Sequence, residues 1–566
     1  MSGLSEPRLS VNGNKLPSAR KISTTVISHS DVPEPGYTAL NSHFGQFLDH
    51  DIGHTPTERG FCGCTKSSVC IPIEIPEDDE FFEVPCFPFL RSLPSLDENC
   101  KGPRQQLNQI TSFIDGSAIY GSTDDVVNSL RNKDDGLGLL LTETNPTGVF
   151  SLPHLPKDVQ ESDCATIRHG HHCGRSGDVR SSEQTGLTIL HTIFHRNHNL
   201  IALQLFQMNP FWDDTRLFNE ARRINTAIFQ HITYNEYLPL LIGPRMVRAL
   251  DIKSNSAGFF YGYDYKVNPG VSNVVSTSAF RFGHSQVSSD MTRVNPQFQE
   301  VFDPLLLAEA FFNGSIMFDG TNGGVDSIAL GMVTQQLQKV DLNIDIVLTQ
   351  HLFNFPPFSP ALDLIAFNIQ RGRDHGIPSY VEWRTFCGLS DASSMDDLRS
   401  EISEENISRL KKAYSDVRDI DLFVGSIAEE PLADALVGPT NACILGRQFH
   451  DLKAGDRFWY ETGNQKTSFT KDQLAMIRTM TMSRLMCDNL EFIESIQPFA
   501  FRSADERVSP GDETSFYRYN QMNDFPDLNR DMPGFSNVRV SCRDFTVIPH
   551  LDLCPRSKQG SPFCSK

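Results

Sequence analysis

The sequence predicts a mainly α protein, one large helical domain with little β structure. Three observations lead there. Apolar residues recur at helical spacing through the middle and the C-terminal half, strand-like alternation is rare and short, and no low-complexity linker or internal repeat divides the 566 residues. Length alone would favour three or four domains, but the continuity of the pattern argues for a single domain over 1–566. The 50 Lys and Arg against 70 Asp and Glu leave a net charge of −20, which repels phosphate backbones and excludes a nucleic-acid partner. No apolar run approaches the ~18–20 residues that cross a bilayer. The best stretches, Leu200–Phe206 and Tyr237–Ile242, are far too short, so no transmembrane segment is expected.

Taken in order, the first ten residues (MSGLSEPRLS) lack the apolar stretch of a signal peptide. FGQFLDHD, residues 44–51, reads as a short helix. Residues 52–105 form an excursion rich in cysteine and proline (Pro72, Pro76, Pro85, Pro88, Pro94), which is loop chemistry fastened by disulfides. From Arg180 onward Leu187, Leu190, Phe194 and Leu200 sit at helical spacing, and Arg216–Gln230 and Lys471–Met486 read the same way; Phe259–Tyr265 alternates like a strand.

Thirteen cysteines point to an oxidising compartment. Zinc is the rival, but paired CxxC motifs are missing and Cys62 and Cys64 are spaced CxC. The odd count leaves a thiol free or joined to another chain, so a disulfide-linked oligomer stays open. Asn313-Gly314-Ser315 and Asn406-Ile407-Ser408 are glycosylation sequons. Secretory chemistry without a signal peptide predicts a truncated N-terminus.

Five segments carry candidate chemistry. In 44–51, Gln46, Asp49, His50 and Asp51 crowd an otherwise apolar stretch, a costly arrangement unless each has a partner; a solvated helix tip is the plainer reading. In TSFIDGSAIYGS (111–122), Thr111, Phe113, Asp115 and Ser117 alternate and offer oxygens to a hard cation, although the same residues describe a simple turn. Arg180 and Glu183 stand three apart, as neighbours on one helix face. His191, His195 and His198, and the cluster His169, His171 and His172, lack a matching carboxylate and read as structural. FRFGH (280–284) places His284 after an unobstructing glycine, and in FNIQRGRDHGIPSY (367–380) Asn368 and Arg371 follow the apolar run Leu362–Phe367. Such a pair can orient a ligand imidazole and anchor an anionic cofactor edge.

In this order, and with LPSAR (16–20), YNEYLP (234–239) and GDRFWYE (455–461), the segments resemble the animal haem peroxidase family over about residues 7–555. The resemblance implies a mainly helical domain enclosing haem b, and a secreted enzyme. It would use hydrogen peroxide to form a ferryl intermediate that oxidises halides, phenols or tyrosine side chains. His50 is similar to the distal histidine and Arg180 to the distal arginine, with Gln46 holding a distal water or halide. His284 matches the proximal iron ligand, donating its other N–H to Asn368, and Arg371 matches the arginine beside the propionates. Asp49 and Glu183 match carboxylates that esterify the haem. Asp51, Thr111, the Phe113 carbonyl, Asp115 and Ser117 match calcium ligands. Gln184 stands where myeloperoxidase carries a haem-linked methionine, so that third bond cannot form. The bridges Cys164–Cys173, Cys387–Cys443 and Cys487–Cys542 also follow from the resemblance. Pairing among Cys62, Cys64, Cys70 and Cys86, and the partners of Cys100, Cys554 and Cys564, stay open.

A related fatty-acid dioxygenase is the second reading, disfavoured by the ester-type pair Asp49 and Glu183 and by the lack of an amphipathic membrane-binding segment. An adhesive matrix protein is the third. No RGD or KGD occurs and every catalytic position is filled, so an extracellular-matrix partner is at most an added role.

Overall fold

The computed structural model describes residues 6–95, 104–144, 152–158, 173–355, 360–505 and 537–553. Helices dominate, as the sequence predicts. Those that build the site are α1 (Ala19–Val26), α2 (Leu40–Ile52), α3 (Thr185–Met208), α4 (Asp214–Ile232) and α5 (Leu364–Asp374). The β structure among the described residues consists of two-stranded ladders. The longest pairs β1 (Pro33–Thr38) with β2 (Gln336–Gln338), antiparallel, with Pro33 opposite Gln338 and a register shift before Thr38.

The core is centred on α3, whose residues from Thr185 to His198 are all buried. A helix buried on every side belongs in the middle of a large domain. Its Phe194 stacks on Phe47 of α2 at 5.1 Å, and Phe229 of α4 meets both rings at 5.2 Å. This aromatic contact is why α2 lies where it does. Phe44, Phe47 and Leu48 occupy one stripe and enter the core, which turns the stripe of Gln46, Asp49 and His50 the other way. α5 is fixed at its start by Asp363, which accepts from the N–H of Ile365 and Ala366 and also from Arg20 Nη1 of α1 at 2.8 Å.

Four local expectations are revised. Phe259–Tyr265 forms no strand; it makes a single bridge, Phe260 with Thr462, because no neighbouring segment runs alongside it. Lys471–Met486 is two helices, α6 (Lys471–Ile477) and α7 (Met482–Asn489), since Thr481 caps the second by accepting from Arg484 N at 3.1 Å. The helix expected from Arg180 begins only at Thr185, where Gln184 caps it by accepting from Gly186 N at 2.7 Å. Arg180 and Glu183 therefore sit in the preceding turn and not on a helix face.

The cysteines pair as Cys62–Cys70, Cys64–Cys86, Cys387–Cys443 and Cys487–Cys542. Cys173 is also disulfide-bonded. Its expected partner Cys164 lies outside the described residues, as do Cys100, Cys554, Cys564 and the cluster His169–His172. The sequon asparagines each donate Nδ2 to a backbone carbonyl, Asn313 to Glu309 and Asn406 to Ala428. No helix among the described residues is long and apolar enough to cross a membrane.

Candidate active site

A cavity of about 300 Å³ lies between α2 and the 3₁₀ helix Ala279–Gln286. α2 contributes His43, Gln46, Asp49 and His50 to its lining, the turn before α3 contributes Arg180, Glu183 and Gln184, and the 3₁₀ helix contributes Phe280 to His284. Residues up to about 240 positions apart in sequence thus share one wall system, which no local pattern could show.

His50 is buried, and its Nδ1 has no hydrogen-bond partner. Burial, reinforced by the Arg180 charge, pushes its pKa well below the ordinary imidazole value, so the ring is neutral and able to take a proton. Its nearest carboxylates are Asp178, 3.9 Å from Nδ1, and Glu183, 3.9 Å from Nε2.

Asp178 was not among the residues singled out from the sequence, yet it organises this wall. It accepts from both Nε and Nη2 of Arg180 at 2.8 Å, and Arg180 Nη2 also donates to Gly53 O at 3.0 Å. Burial opposes the Arg180 charge, but the adjacent carboxylate outweighs it and holds the guanidinium above its usual pKa. Burial likewise opposes the Asp178 charge, and Arg180 overcomes it, keeping this carboxyl ionised. The one available cue was its position two residues before Arg180.

Glu183 accepts from Gln46 Nε2 at 2.8 Å, and Gln184 Nε2 donates to Gln46 Oε1 at 2.9 Å. Gln184 Nε2 also lies 3.2 Å from Nδ1 of His43, a half-buried imidazole whose pKa desolvation lowers to about 4. Gln46 is therefore clamped from both ends. Burial raises Asp49 to about 6, against the pull of Arg180 and Arg281, and also raises Glu183.

On the second wall, Asn368 Nδ2 lies 2.7 Å from His284 Nδ1, while its Oδ1 accepts from Arg281 Nη1 at 2.8 Å. The expected pairing of His284 with Asn368 is thus present, and Arg281 holds the amide from its other end. Burial lowers the His284 pKa to about 3. Beside it, Gly283 has open space where a Cβ would stand. Arg371 is not in the cavity lining: its Nη1 donates to Leu90 O at 2.9 Å, Ser92 Oγ at 3.0 Å and Asp374. Arg281, which sequence reasoning passed over, is the second arginine of the cavity.

Behind His50, Asp51 turns away from the cavity. Its Oδ1 accepts from Ala118 N at 2.8 Å and its Oδ2 from Gly116 N at 3.2 Å. Ser117 Oγ donates to Asp51 O at 2.8 Å, and Thr111 Oγ1 donates to Asp115 Oδ1 at 3.0 Å. Burial, and then the neighbouring Asp115 charge, push the Asp51 pKa well up. The buried Asp51 and half-buried Asp115 carboxylates, surrounded by hydroxyl and backbone oxygens, form a donor set that fits a hard cation. Phe113 and Asp115 also line a second cavity nearby. His191, His195 and His198 bond to Ser176, Leu141 O, Tyr120 and Gly138 O, as structural histidines should.

The family described as "Animal haem peroxidase" matches residues 1–501. A peroxidase of Drosophila melanogaster is 37% identical over 526 residues, 88% of this chain and 75% of that protein. The peroxidasin homolog of Homo sapiens is 36% identical over 89% of this chain, which spans only 35% of its length. Thyroid peroxidase of Sus scrofa is 36% identical over 86% of this chain and 55% of its own. Among solved structures, peroxidase A of Dictyostelium discoideum superposes with a TM-score of 0.74 at 28% identity, covering 89% of this chain and 94% of that one. A fatty acid alpha-dioxygenase of Oryza sativa reaches 0.66 at 20% identity over 83% and 78%, a likeness of fold.

Proposed function

The chain belongs to the animal haem peroxidase family and is a peroxidase using hydrogen peroxide; from that premise we propose that it is a secreted enzyme oxidising a small anionic or phenolic donor in the cavity between His50 and His284. One observation carries the reading: a neutral, buried His50 and an amide-held His284 line the same cavity. Those residues fit a flat iron porphyrin, since Gly283 leaves its face open and both imidazoles keep a nitrogen clear of protein hydrogen bonds. His284 would hold the iron, and Asp49 and Glu183 would form the haem esters.

Haem, when bound, supplies the redox chemistry that takes two oxidising equivalents from peroxide and passes them to the donor. The chain supplies the rest. His50 takes the proton of the incoming peroxide on a ring nitrogen and returns it to the outer oxygen, which leaves as water. Arg180 keeps a permanent positive charge beside that oxygen and stabilises the negative charge developing there, while Asp178 fixes its direction. Gln46, clamped by Glu183 and Gln184, orients a water or a halide-sized anion. Calcium held by Asp51, Thr111, the Phe113 carbonyl, Asp115 and Ser117 would lock the chain next to His50. Disulfides throughout the chain support an oxidising, extracellular setting. A matrix partner fits that setting as an added role.

The test is turnover of the haem-loaded chain on chloride, bromide, iodide, thiocyanate and a tyrosine analogue, with the Soret band recorded. His284→Ala should lose the iron's spectrum. His50→Ala should keep haem and lose at least ~100-fold in peroxide reduction. Normal turnover by His50→Ala sinks the assignment.

A further inference from the structure

The segment expected to be a strand carries three tyrosines at alternate positions, Tyr261, Tyr263 and Tyr265. They are 68%, 36% and 78% exposed, whereas every other tyrosine among the described residues is buried. No hydroxyl of the three bonds to a described residue, so none is there to satisfy a buried partner. The backbone beneath them is pinned. Phe260 N donates to Glu461 O at 2.8 Å, Asp264 N to Ala454 O at 2.9 Å, and Phe260 itself is buried. Three phenols are thus held out on a fixed surface segment, in a chain that uses Phe 40 times and Tyr 12 times.

We propose that Tyr261, Tyr263 and Tyr265 are a site of oxidative modification, at which the enzyme's own peroxide-driven activity couples two copies of the chain through dityrosine. This rests on the peroxidase reading of the cavity. The balance is two tyrosines plus one hydrogen peroxide giving one dityrosine and two waters. Each ring gives up one proton and one electron, a carbon–carbon bond forms between the ortho positions, and the O–O bond of the peroxide breaks as it takes up the two protons and two electrons. The second ring comes from another molecule, because no other exposed tyrosine stands on the described surface. The same segment of a second copy presents three acceptors at once.

The experiment treats the haem-loaded chain with hydrogen peroxide and no added donor. It reads covalent dimer on a reducing gel, dityrosine fluorescence, and the coupled peptides by mass spectrometry. The expected result is a reduction-resistant dimer mapping to residues 261–265. Tyr261→Phe/Tyr263→Phe/Tyr265→Phe should lower it at least ten-fold and leave turnover of a small phenol unchanged. The proposal is overturned by equal dimer in the triple variant, by coupling that maps to Tyr517 or Tyr519, by dityrosine confined to monomer, or by no dityrosine while the small phenol is consumed. Loss of small-phenol turnover in the unaltered chain would instead count against the active-site reading. The haem-free chain oxidised with hexachloroiridate then tests the tyrosines separately, and coupling there that spares 261–265 also overturns the proposal.

Discussion

Asn368 is held between His284 and Arg281, its amide nitrogen 2.7 Å from the imidazole Nδ1 and its oxygen 2.8 Å from the guanidinium. The arginine thereby fixes the amide against the imidazole. Asn368 sits on α5, which Asp363 and Arg20 anchor, so the orientation of His284 is set by the fold and not by the FRFGH segment alone. Asn368→Leu leaves His284 Nδ1 without a partner and should weaken haem retention by roughly 10–100-fold. The ratio of Soret to protein absorbance after gel filtration reads this. Retention equal to that of the unaltered chain would show that packing alone orients the ring.

The rate of peroxide consumption should stay level as pH falls from 8 to 6.5. His50 works as a base above its pKa, and burial with the Arg180 charge has moved that pKa well below 6.5. Activity carried by this group is lost only as pH falls through the lowered value. Stopped-flow decay of peroxide between pH 5 and 8 is the measurement. A midpoint near 6.5 that disappears in His50→Gln would contradict the placement of this ring.

Adding calcium to chelator-treated protein should raise the melting temperature, by an amount that grows with the free ion. Asp115→Ala should abolish the rise and reduce haem retention with it, since Asp51 adjoins His50 and its carboxylate faces Asp115 across the loop. Unchanged turnover after chelation would separate the loop from catalysis.

Glu236 lies in the π-helical turn Thr233–Tyr237 that continues α4, fully buried, with Oε1 accepting from Met482 N and Oε2 unpartnered. Burial raises its pKa from 4.5 to about 8. Between those values the unfolded chain releases a proton that the folded chain keeps, so stability falls as pH rises through the window. Glu236→Gln has no proton to lose, and its melting temperature should fall less between pH 5 and pH 8, by a few degrees. Equal slopes for the two proteins would place the pH dependence elsewhere.

The 3.6-residue spacing of Leu187, Leu190 and Phe194 specifies α3, and the apolar set Phe44, Phe47 and Leu48 specifies which face of α2 is left for Gln46, Asp49 and His50. Those are local properties, because burial of one stripe determines the direction of the opposite one. The alternation in 259–265 yields no ladder for the complementary reason. Alternation describes a segment, whereas a strand needs a neighbour to bond with. The two-sided clamp on Gln46 and the meeting of Arg281 with Asn368 at the cavity came from tertiary structure. Each depends on which charge or amide a side chain meets after distant segments converge, and a long polar side chain has several partners within reach until burial removes all but one.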